Sequence, residues 1–326
     1  MAQKKTSVQP PSEPSKDSQF PIVGAGASAG GLEAFTELLR SLPDRPGMAF
    51  IFVQHQEPKH VSMLPEILAR NTSMKVRQVS GDELVEADHV YVAPPDTHVL
   101  INDGRLQLAT GGTGSMPIDH FLRSLAEDQG NRAIGVILSG AGSDGSLGIG
   151  AIKAEGGITF AEDQTAKFDS MPRSAMAAGS IDFVMPPSEI ANELVRIGQQ
   201  WHRAKRIDEK LPEKQLEDLF KLLQRSHDID FSNYKRATIE RRVRRRMMLN
   251  KLDTIDRYLA FIHDRPAELE ELYGDVLIRV TNFFRDPQVF EALQQDVFPE
   301  MFRAHRNGDP IRFWVPGCAT GEEVYS

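Results

Sequence analysis

Three short segments hold residues whose types suit acyl-transfer chemistry. The first is Gly24-Ala25-Gly26-Ala27-Ser28-Ala29-Gly30-Gly31, the exit of an apolar stretch. A glycine-rich turn between a strand and a helix can cradle a pyrophosphate at the helix N-terminus. It can equally present a nucleophile, with backbone N–H groups turned toward an oxyanion. The second segment is Met48–Val53, which runs into Gln54-His55-Gln56. A dinucleotide site wants an acidic residue near that point to hold a ribose hydroxyl. Histidine there suits a base instead, although Glu57 lies only slightly later. The third is Ala133–Leu138, followed by Ser139-Gly140-Ala141-Gly142-Ser143-Asp144-Gly145. Serine, imidazole and carboxylate would then stand at three strand ends, as a hydroxyl nucleophile, its proton carrier and the group that orients the imidazole. Each has a plain reading when taken alone: Ser28 as a helix N-cap, His55 as a satisfied edge histidine, Asp144-Gly145 as a turn.

The elements that must position these groups alternate between strands and helices. Apolar runs at 20–24, 48–53, 89–93, 133–138, 157–160 and 182–184 read as strands, with amphipathic helices between them. One such helix carries Leu32, Phe35, Leu38 and Leu39. Continuous apolar strands imply a doubly wound, mostly parallel α/β sheet covered on both faces. Such sheets place their ligands at the carboxyl ends of the strands. Runs 97–101 and 105–109, split by Asp103-Gly104, read as a hairpin. Beyond about Ser188 the texture becomes helical, with stripes at Leu216/Leu219/Phe220/Leu223, Ile239/Val243/Met247 and Ile255/Tyr258/Leu259/Ile262. Ile311–Val315 then reads as a strand again. The expected organisation is a disordered tail over 1–18, an α/β domain over 19–198, a helical linker over 199–214, a small all-α domain over 215–305, and the first strand of a truncated Rossmann-like domain over 306–326.

At these residues the chain resembles the catalytic domain of bacterial chemotaxis protein-glutamate methylesterases, the CheB type. The Ser28, His55 and Asp144 segments carry the likeness, with Tyr91-Val92-Ala93-Pro94-Pro95 and Phe168-Asp169-Ser170-Met171-Pro172-Arg173. The resemblance implies hydrolysis of glutamyl methyl esters on methyl-accepting chemoreceptors, with glutamine deamidation as similar chemistry. It makes Ser28 the nucleophile, His55 the general base and acid, Asp144 the orienting carboxylate, and the N–H groups near Ala29 and Ala141 the oxyanion donors. Many members have Thr and Met at those last two places; alanine keeps the N–H and changes the walls. No cofactor is implied for the esterase. His60 and His98 match nothing in the family and read as surface residues. Stand-alone members usually begin with a receiver domain, whereas about twenty polar residues precede the first strand here, so phosphorylation control within this chain is not expected.

The helical region resembles the N-terminal domain of CheR-type chemotaxis methyltransferases. Val280-Thr281-Asn282-Phe283-Phe284-Arg285-Asp286 and Pro316-Gly317-Cys318-Ala319-Thr320-Gly321-Glu322-Glu323 look like that family's signatures. The likeness implies S-adenosylmethionine as cofactor, touched by Thr281, Arg285, Gly317, Gly321, Glu322 and Glu323. One βαβ unit takes about 30 residues or more, and few follow Gly321, so methyl transfer by this polypeptide is not expected. Arg241, Arg242 and Arg245 sit at helical spacing among further arginines. They read as a solvated face, a non-specific nucleic-acid contact, or, by the resemblance, a docking face for acidic receptor helices.

Bulk properties bound these readings. The 326 residues carry a net charge of −8, which argues against whole-chain attraction to nucleic acid or anionic membrane. No apolar run is long enough to span a bilayer. The single cysteine, Cys318, fits a reducing cytoplasm. Two rivals stay open: a receptor-docking module without catalysis, and a dinucleotide-binding oxidoreductase.

Overall fold

The computed structural model describes residues 20–55, 63–110, 116–205, 211–227, 231, 234–277, 287–304, 311–316, 318 and 321–326. It divides into two compact units, residues 1–276 and 277–326.

The first unit is built on a parallel sheet. Its strands are β1 (Ile22–Ala27), β2 (Ala49–Gln54), β3 (Lys75–Gln78), β5 (His89–Val92), β8 (Ala133–Ile137), β9 (Ile158–Glu162) and β10 (Phe183–Met185), in the order β10-β9-β8-β1-β2-β5-β3. The chain leaves β1 toward β2 on one side and later returns to pair β8 on the other. β1 is therefore the point where the strand order reverses, and the exits of β1, β2 and β8 share one edge. The other strands, β4 (Glu83–Leu84), β6 (Thr97–Asn102) and β7 (Arg105–Thr110), form an antiparallel sheet. Its hairpin turns at Asp103 and Gly104, both at positive φ, as the Asp-Gly pair predicts. The edge strand β3 was not legible as an apolar run, because its residues are Lys-Val-Arg-Gln and its ends are exposed. Charged side chains are how a free sheet edge avoids pairing with another chain.

Alternate strand residues bury the two faces separately. Val23, Ala25, Phe50, Phe52, Val136 and Leu138 pack against α1 (Gly31–Arg40), α2 (Leu64–Ala69) and α6 (Pro187–Lys205). Ile22, Ile51, Val53, Tyr91 and Ile137 pack against α3 (Pro117–Gln129), α4 (Ser146–Ala154) and α5 (Ser170–Ala177). The glycines of β1 serve this second face. A Cβ on Gly24 would lie 2.8 Å from Phe121 and Leu122 atoms, and one on Gly26 would lie 2.3 Å from Ile118. Two glycines in the central strand thus let α3 lie directly on it, which brings the α3 N-terminus to the functional edge.

Helix α6 runs through the boundary expected at 198. Behind it come α7 (Glu213–His227), α8 (Arg236–Leu249), α9 (Ile255–Asp264) and α10 (Pro266–Val276), within the same unit. The union rests on the arginines of α8. Arg242 donates to the last-turn carbonyls of α4, Lys153 O at 2.7 Å and Ala154 O, which an α-helix leaves without internal partners. Arg245 donates to Gly157 O at 2.9 Å and forms ion pairs with Asp182 and Asp275. Arg241 pairs with Glu155 at 2.9 Å. From the other side, Arg196 and Gln200 of α6 donate to Met248 O and Leu252 O. The expected docking face is corrected here. Arg242 and Arg245 are 4% and 2% exposed, so neither a solvated nor a receptor-binding role is open to them. Of these three arginines, Arg241 alone keeps a partly exposed side chain. Burial, with Arg241 alongside, lowers the Arg242 pKa to about 10, still charged at neutral pH.

The second unit holds α11 (Pro287–Ala292), one π-helical turn (Leu293–Val297), α12 (Phe298–Ala304) and the short α13 (Glu322–Tyr325). Residues 311–315, expected as a strand, form no ladder among the described residues, since a strand exists only with a partner to pair with.

Removing the Arg245 side chain takes away the shortest ion pairs of Asp182 and Asp275 and leaves only the longer contacts of these buried carboxylates, with Lys153 and Arg246, each at 3.9 Å. Arg245→Ala is expected to destabilise the first unit by about 3–5 kcal/mol, read as a shift in equilibrium urea unfolding.

Candidate functional site

Ser28 is the first residue beyond β1 and is half-buried. It is not a helix N-cap. That position belongs to Gly30, at φ 76°, with no side-chain cap. In the parallel register Ala27 pairs with Gln54, so Ser28 and His55 follow at the same level on neighbouring strands. The His55 N–H donates to Ala27 O at 3.2 Å, which fixes its backbone to the Ser28 turn. On the other side the Ser28 N–H donates to Ser139 O at 3.0 Å.

The Asp144 carboxylate reaches this edge from the loop after β8. Its Oδ2 lies 2.8 Å from His55 Nε2. Asp144 is 2% exposed, and a buried carboxylate needs donors. The α3 N-terminus supplies them: Ile118 N–H to Oδ2 at 3.0 Å and Asp119 N–H to Oδ1 at 2.9 Å. One side chain therefore caps α3 and holds the imidazole. Asp119 in turn accepts from Gly148 N–H at 2.7 Å, which fastens α3 to α4. Burial pushes its carboxyl up, and the neighbouring Asp144 charge adds to that.

The loop Ser139–Gly142 is stitched to the Phe168–Ser174 segment. Gly140 N–H donates to Phe168 O at 2.9 Å, Met171 N–H to Gly140 O at 3.0 Å, and Gly142 N–H to Ser170 Oγ at 3.1 Å. The packing is tight enough that a Cβ on Gly140 would lie 2.2 Å from Met171 Sδ and 2.9 Å from Ser28 Cβ. The N–H groups of Ala29 and Ala141, the two oxyanion donors expected from the resemblance, have no acceptor among the described residues.

Sequence reasoning passed over Gln54, Ser139 and Glu162, although two of them stand inside the quoted segments. Gln54 Nε2 donates to Ser28 O at 3.0 Å, and Ser139 Oγ donates to Ala29 O at 2.9 Å. Glu162, at the end of β9, accepts the Ser139 N–H at 2.8 Å. His98 is not the surface residue expected. It is half-buried, its ring centroid 4.8 Å from that of His120, and burial followed by that neighbour lowers its pKa. His60, Thr281, Arg285 and Gly317 lie outside the described residues. Gly321 turns at φ 103°, and Glu322 and Glu323 open α13. Among the described residues, no three metal-ligating side chains cluster and no helix is long and apolar enough to cross a membrane.

Burial pushes the Glu162 carboxyl above its ordinary range. The fold thus favours the protonated form: that stability is full in acid and lost as pH rises through the folded-state value. Glutamine keeps an oxygen for the Ser139 N–H and carries no charge. Glu162→Gln is expected to melt higher than the parent at pH 8, with the gap closing as pH falls below about 4, followed by circular dichroism.

Three regions of the chain match known families. Residues 23–194 match the family model of the CheB methylesterase. Residues 214–277 match that of the CheR methyltransferase all-alpha domain, and 279–326 that of the CheR methyltransferase SAM binding domain. An uncharacterized 104.1 kDa protein of Rhodobacter capsulatus is 36% identical over 291 residues, 81% of this chain and 30% of that protein. The protein-glutamate methylesterase/protein-glutamine glutaminase of Bordetella parapertussis is 37% identical over 193 residues, 56% of this chain and 55% of the relative. Protein-glutamate methylesterase FrzG of Myxococcus xanthus is 32% identical, with 60% and 61% covered. The chain thus spans under a third of the first relative and little more than half of the other two. Among solved structures, the CheB methylesterase catalytic domain of Thermotoga maritima superposes with a TM-score of 0.51 at 29% identity, covering 55% of this chain and 98% of that domain.

Proposed function

Because this chain belongs to the CheB methylesterase family, with CheR-family regions behind that domain, we propose that it hydrolyses glutamyl methyl esters on methyl-accepting chemoreceptors or related sensory proteins, with Ser28 as nucleophile. The observation that carries the reading is the Asp144–His55 hydrogen bond of 2.8 Å beside the Ser28 turn. Asp144 holds Nε2, so Nδ1 is the nitrogen that takes the Ser28 proton. Ser28 Oγ attacks the ester carbonyl, and the carbonyl oxygen gains charge against the N–H groups of Ala29 and Ala141. His55 returns the proton to the departing methoxide, which leaves as methanol. Water then attacks the acyl-serine through the same steps and frees the glutamate. A glutamine side chain would follow the same course with ammonia as leaving group, in line with the glutaminase in a relative's name.

The matched SAM binding region points to S-adenosylmethionine as a second ligand of this part of the chain. The left-handed turn at Gly321, followed at once by α13, fits a loop whose backbone approaches a cofactor closely. Gly321, Glu322 and Glu323 would contact it, together with Thr281, Arg285 and Gly317. When bound, that group supplies an electrophilic methyl.

The test is methanol release from a methylated receptor fragment. Ser28→Ala is expected to lower the rate on the order of 10⁴-fold or more. An intact chain that releases no methanol from a fragment with confirmed methylation would leave a receptor-docking module in place of an esterase.

A further inference from the structure

We propose that Gln54 and Ser139 are positioning residues, clamping two successive peptide planes of the nucleophile turn so that the Ala29 N–H stays aimed at the developing oxyanion. The proposal rests on the esterase reading and adds to it the side chains that hold its oxyanion site in shape.

The argument begins with the Ser28–Ala29 peptide. Its carbonyl accepts two hydrogen bonds, from Gly31 N–H at 3.0 Å and from Gln54 Nε2 at 3.0 Å. A trans peptide is planar, with its C=O and N–H pointing in opposite directions. Fixing that carbonyl toward β2 and α1 therefore turns the Ala29 N–H the other way, where no described group accepts it. The next peptide is held from the opposite strand. Its carbonyl, Ala29 O, accepts Ser139 Oγ at 2.9 Å, and the turn continues through Gly30 at φ 76°. A Cβ on Gly30 would lie 2.6 Å from Ser139 Oγ, so the hydroxyl fits because position 30 has no side chain.

Ser139 is tied on every side. Its N–H donates to Glu162 at 2.8 Å, its O accepts the Ser28 N–H at 3.0 Å, and its Oγ accepts the Phe168 N–H at 3.0 Å. The Ser28 N–H is thus already spent and cannot serve the oxyanion; the first one available along the turn is that of Ala29. Neither Gln54 nor Ser139 has to touch substrate. Each acts through the orientation of a backbone dipole, which is worth most when no reorganisation is needed as charge develops.

The experiment uses the full chain and an alkyl fluorophosphonate. In that reaction Ser28 Oγ bonds to phosphorus, the P–F bond breaks, fluoride leaves and His55 takes the proton. The phosphoryl oxygen occupies the oxyanion site, and no receptor is required. Removing an oxyanion donor outright costs on the order of 10²–10³-fold, and misdirecting one costs a part of that. Gln54→Met and Ser139→Ala are each expected to slow Ser28 phosphonylation about 10- to 100-fold, scored by mass spectrometry. On a methylated receptor fragment they lower kcat similarly, with KM within about twofold. The pH–rate profile keeps its midpoints, because the His55–Asp144 bond is untouched. Three results in the variants would overturn the proposal: unchanged phosphonylation, a loss carried by KM, or shifted midpoints, which would mean Gln54 acts through its neighbour His55. A parent chain that labels at Ser28 but releases no methanol sinks the esterase reading and leaves the clamp to be judged on labelling. A parent chain that does not label at Ser28 overturns the clamp itself.

Discussion

The buried carboxylate of Asp144 takes three hydrogen bonds from two directions, and the geometry of the functional edge depends on them. Two come from the first N–H groups of α3 and one joins it to His55. A carboxylate this deeply buried would be costly without donors, and a helix N-terminus is left with N–H groups that need acceptors. Each requirement meets the other. The capped helix can reach Asp144 only because Gly24 and Gly26 let it lie on β1. The glycines of the first motif therefore act in packing as much as in the turn.

From that carboxylate the constraints run outward through α4, which starts just beyond Asp144. Asp119 fastens α3 to its first turn, and Arg242 of α8 takes the carbonyls of its last. The CheR-type helices are thereby locked to the segments that lead into β9 and β10 by buried guanidinium groups. Arginine suits this task, since its planar fork serves several carbonyl and carboxylate oxygens at once. The ion pairs of Arg245 with Asp182 and Asp275 bridge the α/β layer and α10. That linkage places residues 1–276 in one compact unit, where the change of texture near 188 suggested two.

Much of the α/β scaffold was legible because its signals are local. Apolar runs marked β1, β2, β5 and β8, and Asp103-Gly104 marked the hairpin turn. β3 escaped because an edge strand with charged residues has no apolar run to read. The arginines of α8 were misread for a related reason. Charge at helical spacing looks the same whether the partner is water, another protein, or carbonyls and carboxylates elsewhere in the chain. Here the partners are residues 153–157, 182 and 275, far away in sequence.

What the sequence determined by itself is which side chains stand at the strand exits: Ser28 after β1, His55 after β2 and Asp144 after β8. Strand ends follow from apolar runs and glycine turns, and those need no knowledge of the rest of the chain. Tertiary structure alone decided how these groups are held. The cap of Asp144 on α3, the hydrogen bonds of Gln54 and Ser139 to the Ser28–Ala29 turn, and the burial of Arg242 and Arg245 all join residues more than 20 positions apart. Such contacts form only once the strand order has brought those segments to one edge, and no local pattern of residues encodes that order.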